Sequence, residues 1–136
     1  DAFFWSGGLP TAAITDLAAT PGTKIKFLDH AAATEALNKK FGPLYVRDQI
    51  PAKTYPGQDK AAQILSVWNI LAVNEKMPES TAYTIVKTLF EHKPHLVATH
   101  KEAENIMLEN QNAAHSPLPF HPGAIRYFTE KGQKFK

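Results

Sequence analysis

The residues with the clearest chemical potential lie near the start of the chain. Ser6-Gly7-Gly8 follows the apolar run Ala2-Phe3-Phe4-Trp5 and leads into Pro10 and Thr11. A strand that breaks at a glycine pair and feeds a helix turns free backbone N–H groups toward whatever sits above it. The helix dipole adds a positive partial charge at that end, worth about 0.3–1 kcal/mol to an exposed anion. Two glycines allow close approach to the backbone, so a carboxylate or phosphate is the natural guest. The competing reading is a tight strand-to-helix turn that holds no ligand.

Nucleotide and hydrolase versions of such a turn do not fit. Gly7-Gly8 lacks the G-x-G-x-x-G spacing, no lysine followed by serine or threonine closes a phosphate loop, and Ser6 is not flanked as G-x-S-x-G. His92, His95 and His100 stand near Glu91, Glu102 and Glu104, and three-residue spacing can aim two imidazoles at zinc. Pro94 interrupts that spacing, and surface histidines on a polar segment account for the pattern. His121, before Pro122-Gly123, reads as a residue that fixes a helix start. No spacing pairs the carboxylates for acid–base work, so no catalytic residue, metal site or cofactor is called for. A second candidate is Thr54-Tyr55-Pro56-Gly57-Gln58, a tyrosine on a loop stiffened by proline. It suits either the lining of a ligand cleft or a loop anchored by its own ring.

These residues need elements to position them. The length of 136 residues suits one domain, and 43% apolar with 21% charged residues is ordinary globular composition. A net charge of +2, carried mostly by scattered lysines, does not point to nucleic acid. With no cysteine, disulfides, thiol catalysis and thiolate metal sites are excluded. Residues 2–5 read as a strand, and Pro10 with Ile14, Leu17 and Ala18 as a helix ended by Pro21-Gly22. Residues 24–28 alternate as a strand; Asp29 is placed to cap a helix over 31–40, and Gly42-Pro43 stops it. Residues 1–43 thus follow a β-α-β-α pattern, that of an α/β domain. Residues 44–46 form a short extended piece and 50–60 a long loop. Residues 63–73 make a near-continuous apolar run, read as a buried strand although a buried helix has the same pattern. Helices are expected over 79–92, with Ala82, Ile85, Val86, Leu89 and Phe90 on one face, then over 95–106 and 124–131. The opening Asp1-Ala2-Phe3-Phe4-Trp5 resembles the middle of a buried strand more than a polar terminus, an expectation that more chain precedes it.

Several of these segments resemble a known family. Ser6-Gly7-Gly8-Leu9-Pro10-Thr11-Ala12-Ala13-Ile14 with Asp16-Leu17-Ala18 is similar to the strand-glycine-proline-helix segment of solute receptors from the TAXI branch of TRAP transport systems. Ile50-Pro51-Ala52-Lys53-Thr54-Tyr55-Pro56-Gly57-Gln58-Asp59 resembles that family's most recognisable loop. Similarity continues through Met77-Pro78-Glu79, Lys87-Thr88-Leu89-Phe90-Glu91, Leu108-Glu109-Asn110 and Pro119-Phe120-His121-Pro122-Gly123-Ala124. Two departures are Trp5, where a smaller residue is common, and Lys53, where glycine is frequent.

The resemblance implies the C-terminal half of a two-lobed periplasmic binding protein fold (α/β, type II-like), helical towards the C-terminus. Residues 1–49 would complete the second lobe, 50–66 would cross back, and 67–136 would pack on the first lobe, supplied by an upstream half of the same receptor. A small carboxylate such as glutamate or glutamine would lie in the interlobe cleft and pass to TRAP permease subunits in the membrane. Ligand-binding residues would be Trp5, Ser6, Gly7, Gly8, Thr11 and Tyr55: the turn amides and the Ser6 and Thr11 hydroxyls on the carboxylate, Trp5 and Tyr55 as cleft walls. The alternatives are an enzyme on the same fold and a helical protein-interaction module acting through residues 79–106.

Overall fold

The computed structural model describes residues 1–134. The chain forms two compact units, residues 1–67 and 68–136, each taken by itself.

In the first unit the order is α1 (Ala12–Ala19), α2 (Ala33–Phe41), β1 (Tyr45–Ile50) and β2 (Ala62–Val67). Thr11 opens α1 in an extended conformation, and Thr20 and Pro21-Gly22 close it. Helix α2 carries Glu35 in its first turn and Lys39 and Lys40 in its last, the arrangement the helix dipole favours. Gly42 ends α2 with φ 94°, a conformation that glycine adopts without steric cost. Asn38 then ties helix to sheet: its side-chain N–H donates to the Tyr45 carbonyl at 2.8 Å and its oxygen accepts the Tyr45 N–H at 2.9 Å. Strands β1 and β2 pair antiparallel, from Tyr45 opposite Val67 to Ile50 opposite Ala62. The core gathers where the hairpin meets its loop, around Ile14, Ile50, Tyr55 and Ala62, with Leu9, Ala18, Ile25, Phe27 and Ile64 packed against them.

Several expectations need correction here. Residues 2–5 form no strand, and Phe3, Phe4 and Trp5 are exposed. Residues 24–28 form none either, yet Ile25 and Phe27 turn inward while Lys24, Lys26 and Leu28 face out. Both segments have strand-like side chains, but no neighbouring strand supplies ladder hydrogen bonds among the described residues, and a strand exists only in pairs. Asp29 does not cap α2. Its carboxylate accepts the Gln63 N–H at 2.8 Å, while the Gln63 carbonyl accepts the N–H groups of His30 and Ala31, so the segment is stitched to β2 instead. The short piece at 44–46 extends into the six-residue β1. The apolar run 63–73 pairs only as far as Val67, and Ile70, Leu71 and Val73 are exposed. The sheet is therefore a two-stranded antiparallel hairpin, within a chain that is mixed α/β with five α-helices among the described residues.

The second unit is helical: α3 (Glu79–Glu91), α4 (Lys93–Thr99), three short 3-10 turns between residues 101 and 115, and α5 (Pro122–Glu130). Helix α3 matches its expectation, with Ala82 buried and Val86 and Phe90 packed on α5. The helix expected over 95–106 stops at Thr99, because His100 swings into an extended conformation and caps a 3-10 turn by accepting the Glu102 N–H at 3.2 Å. Pro94 sits in the first turn of α4, where its missing N–H costs nothing. The core is aromatic: Tyr127 and Phe128 meet Phe90 with ring centroids 5.6 Å apart in both cases, and Phe120 meets Phe128 at 5.9 Å. Gly123 lets the two helices touch. A Cβ there would stand 2.6 Å from the Tyr83 nitrogen and collide with the Glu79 carbonyl. His121 fixes the start of α5 as expected: its Nδ1 accepts the Gly123 N–H at 3.2 Å, so its Nε2–H donates to the Met77 carbonyl at 3.0 Å.

Candidate functional site

The glycine turn of the first unit sits where the extended segment meets α1. Thr11 organises it from below. Its hydroxyl donates to the Gly8 carbonyl at 3.0 Å, drawing the turn back over the helix start. Its carbonyl accepts from Ile14 and Thr15, beginning the helix, and the Thr15 hydroxyl adds a bond at 3.2 Å. Its own N–H donates to the Tyr55 hydroxyl at 3.0 Å. No side chain caps α1. Among the described residues neither the Gly7 nor the Gly8 N–H has a hydrogen-bond partner. These two amides lie upstream of α1, whose N-terminal end carries the positive pole of the helix dipole.

Trp5 lies over this turn. Its indole Nε1 stands 2.8 Å from where a Gly7 Cβ would be, so only glycine at position 7 leaves room for the ring in this pose. Trp5 is 62% exposed, held at one end by the turn and open at the other. Ser6 is exposed beside it.

Tyr55 reaches the residue after the turn, Thr11, and is 3% exposed. It stacks on Phe27 with centroids 5.2 Å apart and planes 23° from parallel. The loop that delivers it is built around Gln58, an 8% exposed residue with no functional role expected from the sequence. The Gln58 side-chain oxygen accepts the Tyr55 N–H at 3.3 Å, and its amide N–H groups donate to the carbonyls of Ile50 (3.3 Å) and Lys60 (3.0 Å). One buried amide thus satisfies three backbone groups of a loop that has no ladder of its own. Lys53 occupies the left-handed region at φ 64°, which explains why glycine suits this position. The structure brings Gly8, Thr11 and Tyr55 into one bonded cluster and lays Trp5 on Gly7. Tyr55 is both anchored by its own ring and joined to the glycine turn.

The other sequence candidates lie in the second unit. His92 and His95 have ring centroids 6.0 Å apart at the α3–α4 junction, and no group of three or more metal-ligating side chains forms among the described residues. A shallow depression of about 510 Å³ is lined by Asn74, Lys76, Met77, Pro78 and Thr81. On the outer face of α3 and α5, the Tyr83 hydroxyl donates to Glu130 at 2.6 Å while Arg126 lies 4.7 Å over the Tyr83 ring. Arg126 also contacts Glu130 at 3.2 Å and Glu79 at 3.8 Å. The bond to Glu130 raises the Tyr83 pKa, and the same bond holds the Glu130 carboxyl below its ordinary range. Burial raises the pKa of Tyr127. All members of the outer network are hydrogen-bonded or paired with one another, so it reads as a strap between two helices.

Residues 1–132 match the NMT1-like family, and the chain belongs to it. This is a periplasmic solute-binding family related to TRAP and TAXI-type receptors. Among the described residues no helix is long and apolar enough to cross a membrane.

Proposed function

From that membership, we propose that the protein is an extracytoplasmic receptor of the TAXI type that binds a small carboxylate and hands it to a TRAP permease. The observation that carries this reading is the turn at Ser6-Gly7-Gly8, with two unpartnered amides just upstream of Thr11, where α1 starts without a side-chain cap. A carboxylate seated there accepts from Gly7 and Gly8, with the Ser6 hydroxyl beside them. Trp5 and Tyr55 flank it, one exposed and one buried. Glutamate, glutamine and related small carboxylates fit this donor arrangement. In this reading the turn lines one wall of an interlobe cleft in a two-lobed, type II-like fold, of which the chain is the C-terminal half. The protein acts by binding and release, and carries out no catalysis.

Titration calorimetry and thermal unfolding with L-glutamate, L-glutamine and succinate test the proposal. A bound solute at 100-fold excess over its dissociation constant stabilises the folded form by about 2.7 kcal/mol. The expected outcome is stabilisation by at least one carboxylate and none by uncharged sugars. Absence of any shift across the carboxylates overturns the receptor reading.

A further inference from the structure

Between α1 and α2, residues 24–28 carry a row of backbone groups with nothing to pair with. The N–H groups of Lys24, Ile25, Lys26, Phe27 and Leu28 and the carbonyls of residues 24–27 have no hydrogen-bond partner among the described residues. The Leu28 carbonyl meets only the His30 ring, at 2.9 Å. Such a row is a template for another strand. The segment is also held in place. Ile25 and Phe27 pack on the core, and the Phe27 ring stacks on Tyr55. Just beyond Leu28, the Asp29 carboxylate and the His30 and Ala31 N–H groups are bonded to Gln63 of β2. Little of the ordering cost of pairing therefore falls on this side.

The side chains that face out decide what can pair. Lys24, Lys26 and Leu28 are exposed, Leu28 by 65%, and neither lysine has an ion-pair partner among the described residues. Like charges directly opposite one another across two strands are destabilising, and opposite charges there are favourable. A second copy of the chain pairing antiparallel about Lys26 sets that lysine against itself, and a parallel copy in register sets both lysines against their equals. The edge is thus guarded against its own kind and open to a strand with acids at alternate positions. We propose that residues 24–28 are a docking edge for an extended acidic segment of another protein. That segment adds as an antiparallel strand, with carboxylates opposite Lys24 and Lys26 and an apolar side chain opposite Leu28. Main-chain hydrogen bonds supply the attachment, and the two lysines select the partner. None of the groups assigned to the solute is used.

The test titrates the isotope-labelled full chain with the peptide acetyl-Leu-Thr-Glu-Thr-Glu-amide, followed by NMR and amide exchange. Binding is expected to shift the amide signals of residues 24–28 and to slow their exchange. The same peptide with lysine in place of both glutamates should bind about tenfold more weakly, since two cross-strand charge pairs turn from favourable to unfavourable. An acidic peptide with N-methylated backbone amides should weaken by a similar factor, because it cannot complete the ladder. The double variant Lys24→Glu, Lys26→Glu should lose the acidic peptide and take up the lysine one. Should that variant fail to fold, the ranking of the three peptides on the native chain decides. The proposal is overturned if no peptide binds, if all three bind within about twofold of one another, or if the shifts fall outside residues 24–28. A concentration-dependent doubling of mass with protection at residues 24–28 also overturns it, since the occupant is then a second copy. Titration with L-glutamate reads the receptor function separately, so a chain that binds L-glutamate but no peptide loses only this docking edge.

Discussion

The two units solve the same problem of backbone satisfaction in opposite ways. In the second, α3 and α5 complete their hydrogen bonds within themselves and meet through an aromatic core built on Tyr127, Phe128 and Phe90. In the first, only β1 and β2 pair, and the segments around residues 2–5 and 24–28 are strand-like without a ladder. Its order depends on side chains that reach backbone groups: Asn38 on Tyr45, Asp29 on Gln63, Gln58 on the 50–60 loop, Tyr55 on Thr11. The donors left over from that improvised bonding, the Gly7 and Gly8 amides, are the ones the proposed receptor function assigns to a ligand. A self-satisfied helical unit offers few such groups; a unit held by side-chain stitches offers them at its turns.

Replacing Phe128 by alanine strikes the packed unit hardest. Loss of this 3% exposed ring and its contacts with Phe90 and Phe120 should cost about 3–5 kcal/mol in denaturant unfolding. Hydrogen exchange should report the loss first in α3 and α5. Gly123→Ala attacks the same interface by overpacking, since the new Cβ meets backbone atoms that cannot yield, and should cost about 1–3 kcal/mol. An effect below about 0.3 kcal/mol would mean that the close crossing of α3 and α5 is absent in solution.

In the stitched unit, Gln58→Ala removes the shared partner of Tyr55, Ile50 and Lys60, and should destabilise by about 1–3 kcal/mol. Loop amides should lose exchange protection while α3 keeps its own, which sharpens the contrast between units. Lys53→Gly should run the other way. Relief of the left-handed strain outweighs the added freedom of the unfolded chain, for a gain of roughly 0.5 kcal/mol in unfolding free energy, read as a higher urea midpoint.

The smallest effect concerns the outer strap of the helical unit. Glu130 has a lowered folded pKa, so its contribution is present above the ordinary carboxylate range and is lost as pH falls through that lowered value. Tyr83 has a raised one, so its contribution is present below the ordinary phenol value of 10.0 and is lost as pH rises through the raised value. Glu130 is exposed and Tyr83 only half-buried, so only a slight change in stability is expected at either limit. In Tyr83→Phe, NMR titration should show the Glu130 carboxyl moving back up toward its ordinary range.

Much of the helical unit was legible in the chain. The apolar face of α3 is a local pattern, Pro122 marks the first turn of α5, and His121 before it suits a cap, so each could be read within a few residues. The glycine turn was legible for the same reason, since two glycines break regular structure locally and Pro10 fixes its own φ. The strands were not. Residues 2–5, 24–28 and 68–73 carry the right side chains, but pairing is decided by a neighbour that no local window contains. Asp29 illustrates the point: its position suits a helix cap, yet a carboxylate bonds to the nearest unsatisfied N–H, and folding brings that of Gln63.

By itself the sequence determined where backbone donors would be exposed, at Ser6-Gly7-Gly8, and that proline would stiffen the loop around Tyr55. Only the tertiary structure decided that the two belong together. The Tyr55 hydroxyl meets the Thr11 N–H across 44 residues of chain, because the β1–β2 hairpin and a buried glutamine fold the loop back onto α1. Local patterns specify which groups will need a hydrogen-bond partner. Which group meets the need is settled by non-local closure of the chain, where burial makes an unsatisfied donor too costly to leave.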